Sequence, residues 1–217
     1  IIYYELITVD SVALFFNKNF MFTEKECYDY VRQVRITENG DFNGYFEDRS
    51  VEGRLLAKGV YIKGIKHGYF EVYHANGKLF SRGYYSNNKP IGIWEYFHSS
   101  GLPERILDIS DSATLVVRYL EETGKVRIDK GSGLFDGLVA GLPGSRKEPL
   151  LRYTITGIHA TGRIKDGKPD GRWVVPDHNH QAVYVEKFNQ GELIKSTVFS
   201  KRKMKNFQQL SMLNTFF

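Results

Sequence analysis

The sequence predicts an all-β protein, an elongated and twisted antiparallel sheet of tandem β-hairpins with short helical segments near the N- and C-termini. Three observations carry that prediction. Glycine-led segments recur in register, Gly44-Tyr45-Phe46-Glu47, Gly68-Tyr69-Phe70-Glu71 and Gly92-Ile93-Trp94-Glu95, each 24 residues from the next. A second glycine keeps the step at Gly53, Gly77 and Gly101, and the pairs Gly59/Gly83 and Tyr61/Tyr85 repeat it once. Composition agrees: 14 Tyr, 15 Phe and 21 Gly against six Pro in 217 residues suit strands joined by tight turns. Self-similarity at a fixed period means stacked supersecondary units, none able to bury its apolar face alone.

Taken in chain order, residues 11–22 are aromatic-rich and read as a short strand pair turning near Asn17-Lys18-Asn19. Thr23 to Glu26 has capping-box spacing, which predicts one short helical turn. Residues 27–36 alternate as a strand, and Asn39-Gly40 turns the chain into the first repeat. Residues 1–43 are thereby expected to cap the first edge of the array, since an open sheet edge invites unwanted pairing. Tandem 24-residue hairpins occupy 44–107. In the clearest unit, residues 69–73 form one strand, Asn76-Gly77 the hairpin turn and residues 78–85 the return. Lys89-Pro90-Ile91-Gly92 is expected to close the unit as a turn, with Pro presetting φ.

After Gly101 the period breaks. Residues 115–119 and 125–128 read as a hairpin about Glu121-Glu122-Thr123-Gly124, and 131–149 as a glycine-rich insertion loop. Residues 153–164 return to strand, Trp173 opens a degenerate unit, and 184–199 form a last hairpin. The region 108–200 is therefore read as degenerate hairpins with that insertion. Residues 201–217 are a basic and apolar tail in which Met204, Phe207, Leu210, Leu213 and Phe217 recur at helical spacing.

Alternation along a strand sorts side chains into two faces. Phe46, Phe70 and Trp94 share one face and are expected to stack as an apolar ladder, with Gly44, Gly53, Gly68, Gly77, Gly92 and Gly101 fixing the repeat geometry. Tyr45, Tyr69 and Ile93 share the other face beside Glu47, Glu71 and Glu95, as an aromatic-acidic stripe. The candidate partner-binding residues are Tyr45, Glu47, Tyr61, Tyr69, Glu71, Tyr73, Tyr85, Glu95 and Phe97.

The run Gly-Tyr-Phe-Glu-x-Tyr-x-x-Asn-Gly-Lys-Leu-x-x-x-Gly-x-Tyr at 68–85 resembles the MORN-repeat variant, in the form found in bacterial antitoxin-like proteins. The match extends over 44–101. A degenerate return, Gly167-Lys168-Pro169-Asp170-Gly171-Arg172-Trp173, mirrors Asn88 to Trp94 position by position, which adds Gly171 and Trp173 to the structural set. The resemblance implies open, twisted hairpin arrays that serve mainly as interaction platforms. An insertion separates the third copy from the fourth.

Other chemistry finds little support in the residues. Cys27 is alone, so the chain has neither an intramolecular disulfide nor a cysteine-built metal site. Lys195, Lys201, Arg202, Lys203 and Lys205 account for the whole formal charge of +5, so no basic face marks a nucleic-acid binder. The glycines at 131–137 lack the spacing and the following Lys-Ser/Thr of a phosphate loop. His178 and His180 would share a face only on a strand, and no third ligand lies near them in sequence, so no metal is assigned. No Gly-x-Ser-x-Gly elbow occurs, and Glu47, Glu71 and Glu95 recur once per repeat, a placement that fits contact rather than catalysis. No catalytic residue and no cofactor is assigned.

The expectation is a non-enzymatic scaffold that binds a protein partner on its aromatic-rich face. Antitoxin-like masking of a toxin, implied by the resemblance, and carbohydrate or cell-envelope binding by aromatic stacking are the alternatives. For 201–217, cover of the last sheet edge is favoured over contact with an anionic membrane surface. The chain starts at Ile1 rather than Met, so its true N-terminus is expected to be missing; the resemblance implies a removed export signal, with a lean toward the bacterial periplasm or cell surface.

Overall fold

The computed structural model describes residues 4–19, 21–140 and 157–199. Among them are seventeen strands and no α-helix. The first nine are β1 (Tyr4–Leu6), β2 (Ser11–Phe16), β3 (Tyr30–Ile36), β4 (Phe42–Ser50), β5 (Leu55–Ile62), β6 (Ile65–Lys66), β7 (Gly68–Tyr73), β8 (Leu79–Ser86) and β9 (Lys89–Phe97). The rest are β10 (Pro103–Ile109), β11 (Thr114–Leu120), β12 (Val126–Asp129), β13 (Ser132–Ala140), β14 (Gly157–Lys165), β15 (Lys168–Pro176), β16 (Ala182–Asn189) and β17 (Glu192–Val198). They divide into two compact units, β1–β9 and β10–β17. In each unit every strand pairs antiparallel with the next in sequence; β6 is the short start of a strand that β7 continues, both lying against β5.

In the first unit the turns obey one rule. The Ser50 amide donates to the Arg54 carbonyl and the Gly53 amide to the Ser50 carbonyl. The same two bonds close His74 to Lys78 through Gly77, and His98 to Leu102 through Gly101. Each requires a left-handed residue at the fourth place, and Gly53, Gly77 and Gly101 supply φ of 77°, 81° and 89°. Register shifts fall at Asp48/Arg49 and Val72/Tyr73, where an extra residue on one strand sharpens the local twist.

The other ends of the hairpins use two-residue turns with both φ positive, at Lys63-Gly64 (49° and 78°) and Asn87-Asn88 (50° and 65°). Such turns match the right-handed twist of the strands they join. This corrects the turn expected at Lys89-Pro90-Ile91-Gly92. Those residues lie inside β9, with Pro90 opposite Tyr85, and the reversal falls on the two asparagines before them. Asn accepts the left-handed conformation through its short polar side chain, a signal overlooked in favour of the proline.

Two further expectations are corrected. The N-terminal helical segment is a single three-residue 3-10 turn, Lys25–Cys27, capped by the backbone of Glu24 with no side-chain bond, so the capping box does not form. The C-terminal helical segment lies outside the described residues. Of the stretch 131–149 expected as an insertion loop, Ser132–Ala140 form β13, paired with β14 from Gly133 onward, and residues 141–149 lie outside the described residues. The glycines of β13 answer close approach rather than mobility. A Cβ on Gly133 would stand 2.0 Å from the Arg127 carbonyl oxygen, and one on Gly137 2.4 Å from the Tyr119 hydroxyl.

One face of the first unit carries a row of interlocking rings. Phe46, Phe70 and Trp94 are buried, with Tyr61 and Tyr85 between them at centroid distances of 4.8–6.0 Å. Each ring of the later strands covers a glycine of the strand before. A Cβ on Gly59 would meet Phe70 at 2.6 Å, and one on Gly83 would meet Trp94 at 2.3 Å. The aromatic shields the bare backbone, and the missing side chain leaves room for the ring. In the second unit Trp173 covers Gly162 in the same manner. Trp94 donates its indole N–H to the Tyr84 carbonyl at 3.2 Å, and Trp173 donates to the Arg163 carbonyl at 3.1 Å.

Beside this row sits a buried ion pair absent from the sequence expectations. Arg32 binds Asp48 in bidentate fashion, Nε to Oδ1 at 2.7 Å and Nη2 to Oδ2 at 2.8 Å. The guanidinium lies within 6 Å of the Phe16, Phe42, Phe46 and Tyr61 rings. Two parallel charge-assisted bonds and aromatic faces offset the desolvation of both groups, and removing either partner alone would strand a buried charge.

Candidate functional site

The opposite face of the first unit gathers charged and exposed aromatic side chains. Directly paired residues of neighbouring strands share a face, so the register generates a rail across β3, β4, β5, β7, β8 and β9. Gln33 faces Glu47, Glu47 faces Lys58, Lys58 faces Glu71, Glu71 faces Arg82, and Arg82 faces Glu95. Charge alternates in sign from Glu47 to Glu95. Lys58 Nζ meets Glu71 Oε2 at 2.7 Å, Arg82 Nε meets Glu95 Oε2 at 2.5 Å, and Arg49 Nη2 holds Glu47 Oε2 at 2.6 Å.

Aromatic side chains flank the rail. On one side Tyr45 is 52% exposed and Tyr84 54%; Tyr69 packs on Tyr84 at 5.2 Å, and Ile91 and Ile93 are exposed beside them. On the other side Tyr73 lies 6.0 Å from the Lys58 ammonium and Phe97 5.5 Å from the Arg82 guanidinium. The Tyr45 hydroxyl donates to Glu47 Oε1 at 2.7 Å and the Tyr73 hydroxyl to Glu71 Oε2 at 2.5 Å. At the β2–β4 end an open cleft of about 460 Å³ is lined by Ile7, Ser11, Gln33, Val34, Arg35, Tyr45 and Glu47.

The electrostatics follow from this wiring. Partial burial pushes the Glu47 carboxyl up, but the Tyr45 hydroxyl, Arg49 and Lys58 outweigh it and hold it below the usual range. Glu71 behaves alike, burial being overcome by Lys58, Tyr73 and Tyr69. Lys58 is raised, chiefly by its bond to Glu71. Burial and the Glu47 carboxylate push Tyr45 up to about 12. Held ionised beside their cations, Glu47 and Glu71 are poor proton donors near neutral pH.

The sequence-derived set divides between the faces. Tyr45, Glu47, Tyr69, Glu71, Tyr73, Glu95 and Phe97 belong to the rail face, whereas Tyr61 and Tyr85 belong to the ring row with Phe46, Phe70 and Trp94. Lys58 and Arg82 were missed. They keep the same 24-residue step, and that signal would have shown the acidic stripe to be charge-compensated. Arg32 and Asp48 left no periodic signal, because the later equivalents of Asp48 are Val72 and Tyr96.

Two other groups bear on chemistry. Lys66 lies over the Tyr85 and Phe70 rings at 4.9 and 5.7 Å, and burial, with Arg32 nearby, lowers its pKa. In the second unit Glu186 is 1% exposed; one carboxyl oxygen accepts from Tyr184 at 2.7 Å and the other has no hydrogen-bond partner among the described residues. Burial raises its pKa. His178 and His180 sit on the β15–β16 turn, where the Asp177 side chain accepts from the Asn179 and Gln181 amides and His180 is left-handed at φ 60°. Among the described residues no three His, Cys, Asp or Glu side chains cluster to hold a metal ion.

Comparison with known proteins adds no assignment: no protein-family model matches the chain, and no curated protein sequence matches it.

Proposed function

We propose that this chain is a non-enzymatic scaffold of tandem MORN-variant hairpins that binds a protein partner on the rail face of its first unit. The repeat reading is supported by turn bonds, bulges and ring-over-glycine contacts that recur at the 24-residue step. The binding reading rests on one observation: exposed Tyr45, Tyr69 and Tyr84 border a ladder of fixed, alternating charge. Tyrosines offer rigid contact area at low entropic cost, and the ladder imposes a register on whatever docks. Proton donation is disfavoured, because Glu47 and Glu71 are held ionised and Glu186, whose carboxyl is raised by burial, is sealed from solvent.

A photo-crosslinking side chain at Tyr69, compared with one at exposed Leu134 of the second unit, tests the reading in the producing cells. A discrete protein adduct is expected from position 69 and none from 134. Adducts of equal yield from both positions would refute a dedicated face. Glycan binding that is lost in Tyr45→Ala would instead favour the carbohydrate alternative, for which the cleft beside Tyr45 is the place to look.

A further inference from the structure

We propose that the rail face pairs with a second copy of this chain, across a two-fold axis that runs parallel to the strands between β5 and β7. The inference rests on reading that face as a protein-binding surface and commits to the partner. Its warrant is the order of the rungs, Gln33, Glu47, Lys58, Glu71, Arg82 and Glu95, which reads neutral, minus, plus, minus, plus, minus. A two-fold along the strands reverses strand order and keeps position along each strand. Rail therefore meets rail, and the flanking column of Tyr45, Tyr69 and Tyr84 meets the same column of the other copy.

With the axis between Lys58 and Glu71, Lys58 faces Glu71 of the other copy, Glu47 faces Arg82, and Glu95 faces Gln33. Every charged rung meets an opposite charge or an amide donor, and each contact occurs twice, as an isologous interface requires. Placing the axis on a rung would set like charges against each other, so the ladder also selects against the neighbouring registers. The flanking column then brings Tyr45 of one copy against Tyr84 of the other. The in-sheet pairs do not exhaust the donors: Arg82 commits Nε to Glu95, and its side chain remains 41% exposed.

Size sets the expected strength. Six strands spaced about 4.8 Å apart, over roughly 17 Å of strand, give a projected face of about 500 Å². A stable interface buries about 800 Å² per partner, so this one belongs with the transient class. The dimer should form in the micromolar range and weaken with salt, because its contacts are screened charges.

Sedimentation of the full chain from about 1 to 500 µM, at low and high salt, reads the association. A monomer–dimer equilibrium whose dissociation constant rises several-fold or more with salt is expected. Register is tested in a Cys27→Ser background, since Cys27 is free and exposed. Tyr45→Cys mixed with Tyr84→Cys should give a disulfide-linked dimer, whereas either variant alone should not. The double change Lys58→Glu with Arg82→Glu should abolish self-association, and mixing it with Glu47→Lys/Glu71→Lys/Glu95→Lys should restore a one-to-one dimer. If like-charge rails unfold the sheet, Tyr84→Glu gives the same test of association at an exposed position. A chain that stays monomeric to 500 µM, or disulfides that form equally in the single variants, would overturn the proposal. A monomeric chain that still yields a foreign adduct at Tyr69 would sink this inference alone and leave the partner-binding reading standing.

Discussion

Replacing Phe70 by alanine strikes the ring row at its centre. Phe70 is 5% exposed, lies 5.6 Å from Phe46, 6.0 Å from Tyr61 and 4.8 Å from Tyr85, and covers Gly59. Truncating a buried Phe to Ala costs about 3–5 kcal/mol, the upper end applying where neighbours cannot move in. Here the floor beneath the ring is a glycine in a paired strand, which has no side chain to shift into the void. Three ring contacts, each contributing about 0.5–1.5 kcal/mol, disappear with it. With a urea dependence of about 2 kcal/mol/M, the midpoint of the first unit should fall by roughly 2 M. The chain has two tryptophans, Trp94 and Trp173, so Trp94 fluorescence in a Trp173→Phe background follows the first unit alone. Tyr69→Ala, one residue away on the exposed face, should cost less than about 1 kcal/mol. A Phe70→Ala loss below about 1 kcal/mol, or equal losses at the two positions, would refute the assignment of faces.

Gly83→Ala would place a methyl 2.3 Å from the Trp94 ring and should cost about 1–3 kcal/mol, seen as a lost tryptophan signal in near-ultraviolet circular dichroism. Glu186 has a folded-state pKa raised by burial, so its contribution to stability is fully present below the unfolded carboxyl pKa and is lost as pH rises through the folded value. Glu186→Gln should therefore flatten the loss of stability as pH rises above the ordinary carboxyl value of 4.5, as measured by denaturation at several pH values. An unchanged pH profile would mean that the carboxyl is solvated. His180→Gly should stabilise the β15–β16 hairpin by up to about 1 kcal/mol, because glycine relieves a left-handed residue, and hydrogen exchange at the Asp177 and His180 amides reads the change.

What the sequence determined by itself is the set of quantities that depend on neighbours along the chain. Period-2 alternation put Phe46, Phe70 and Trp94 on one face and Tyr45, Tyr69 and Ile93 on the other, because a strand leaves a side chain no third choice. Gly53, Gly77 and Gly101 marked their turns because only a left-handed residue closes them. Where two local signals competed, the reading went astray. Pro90 outweighed Asn87-Asn88 as a turn, and the glycines of 131–137 suggested a loop although two of them make room for the Arg127 carbonyl and the Tyr119 hydroxyl.

Tertiary structure decided everything that depends on which strand lies beside which. The rail exists because Lys58 falls opposite both Glu47 and Glu71, and Arg82 opposite both Glu71 and Glu95, a consequence of register that no single strand encodes. It moved Tyr61 and Tyr85 from the contact set to the ring row, and brought Arg32 to Asp48 across 16 residues of chain. It also left one oxygen of the buried Glu186 without a hydrogen-bond partner among the described residues. Burial and charge pairing are properties of the packed sheet, where neighbours come from other strands. The sequence alone names the groups, and only the register says which of them meet.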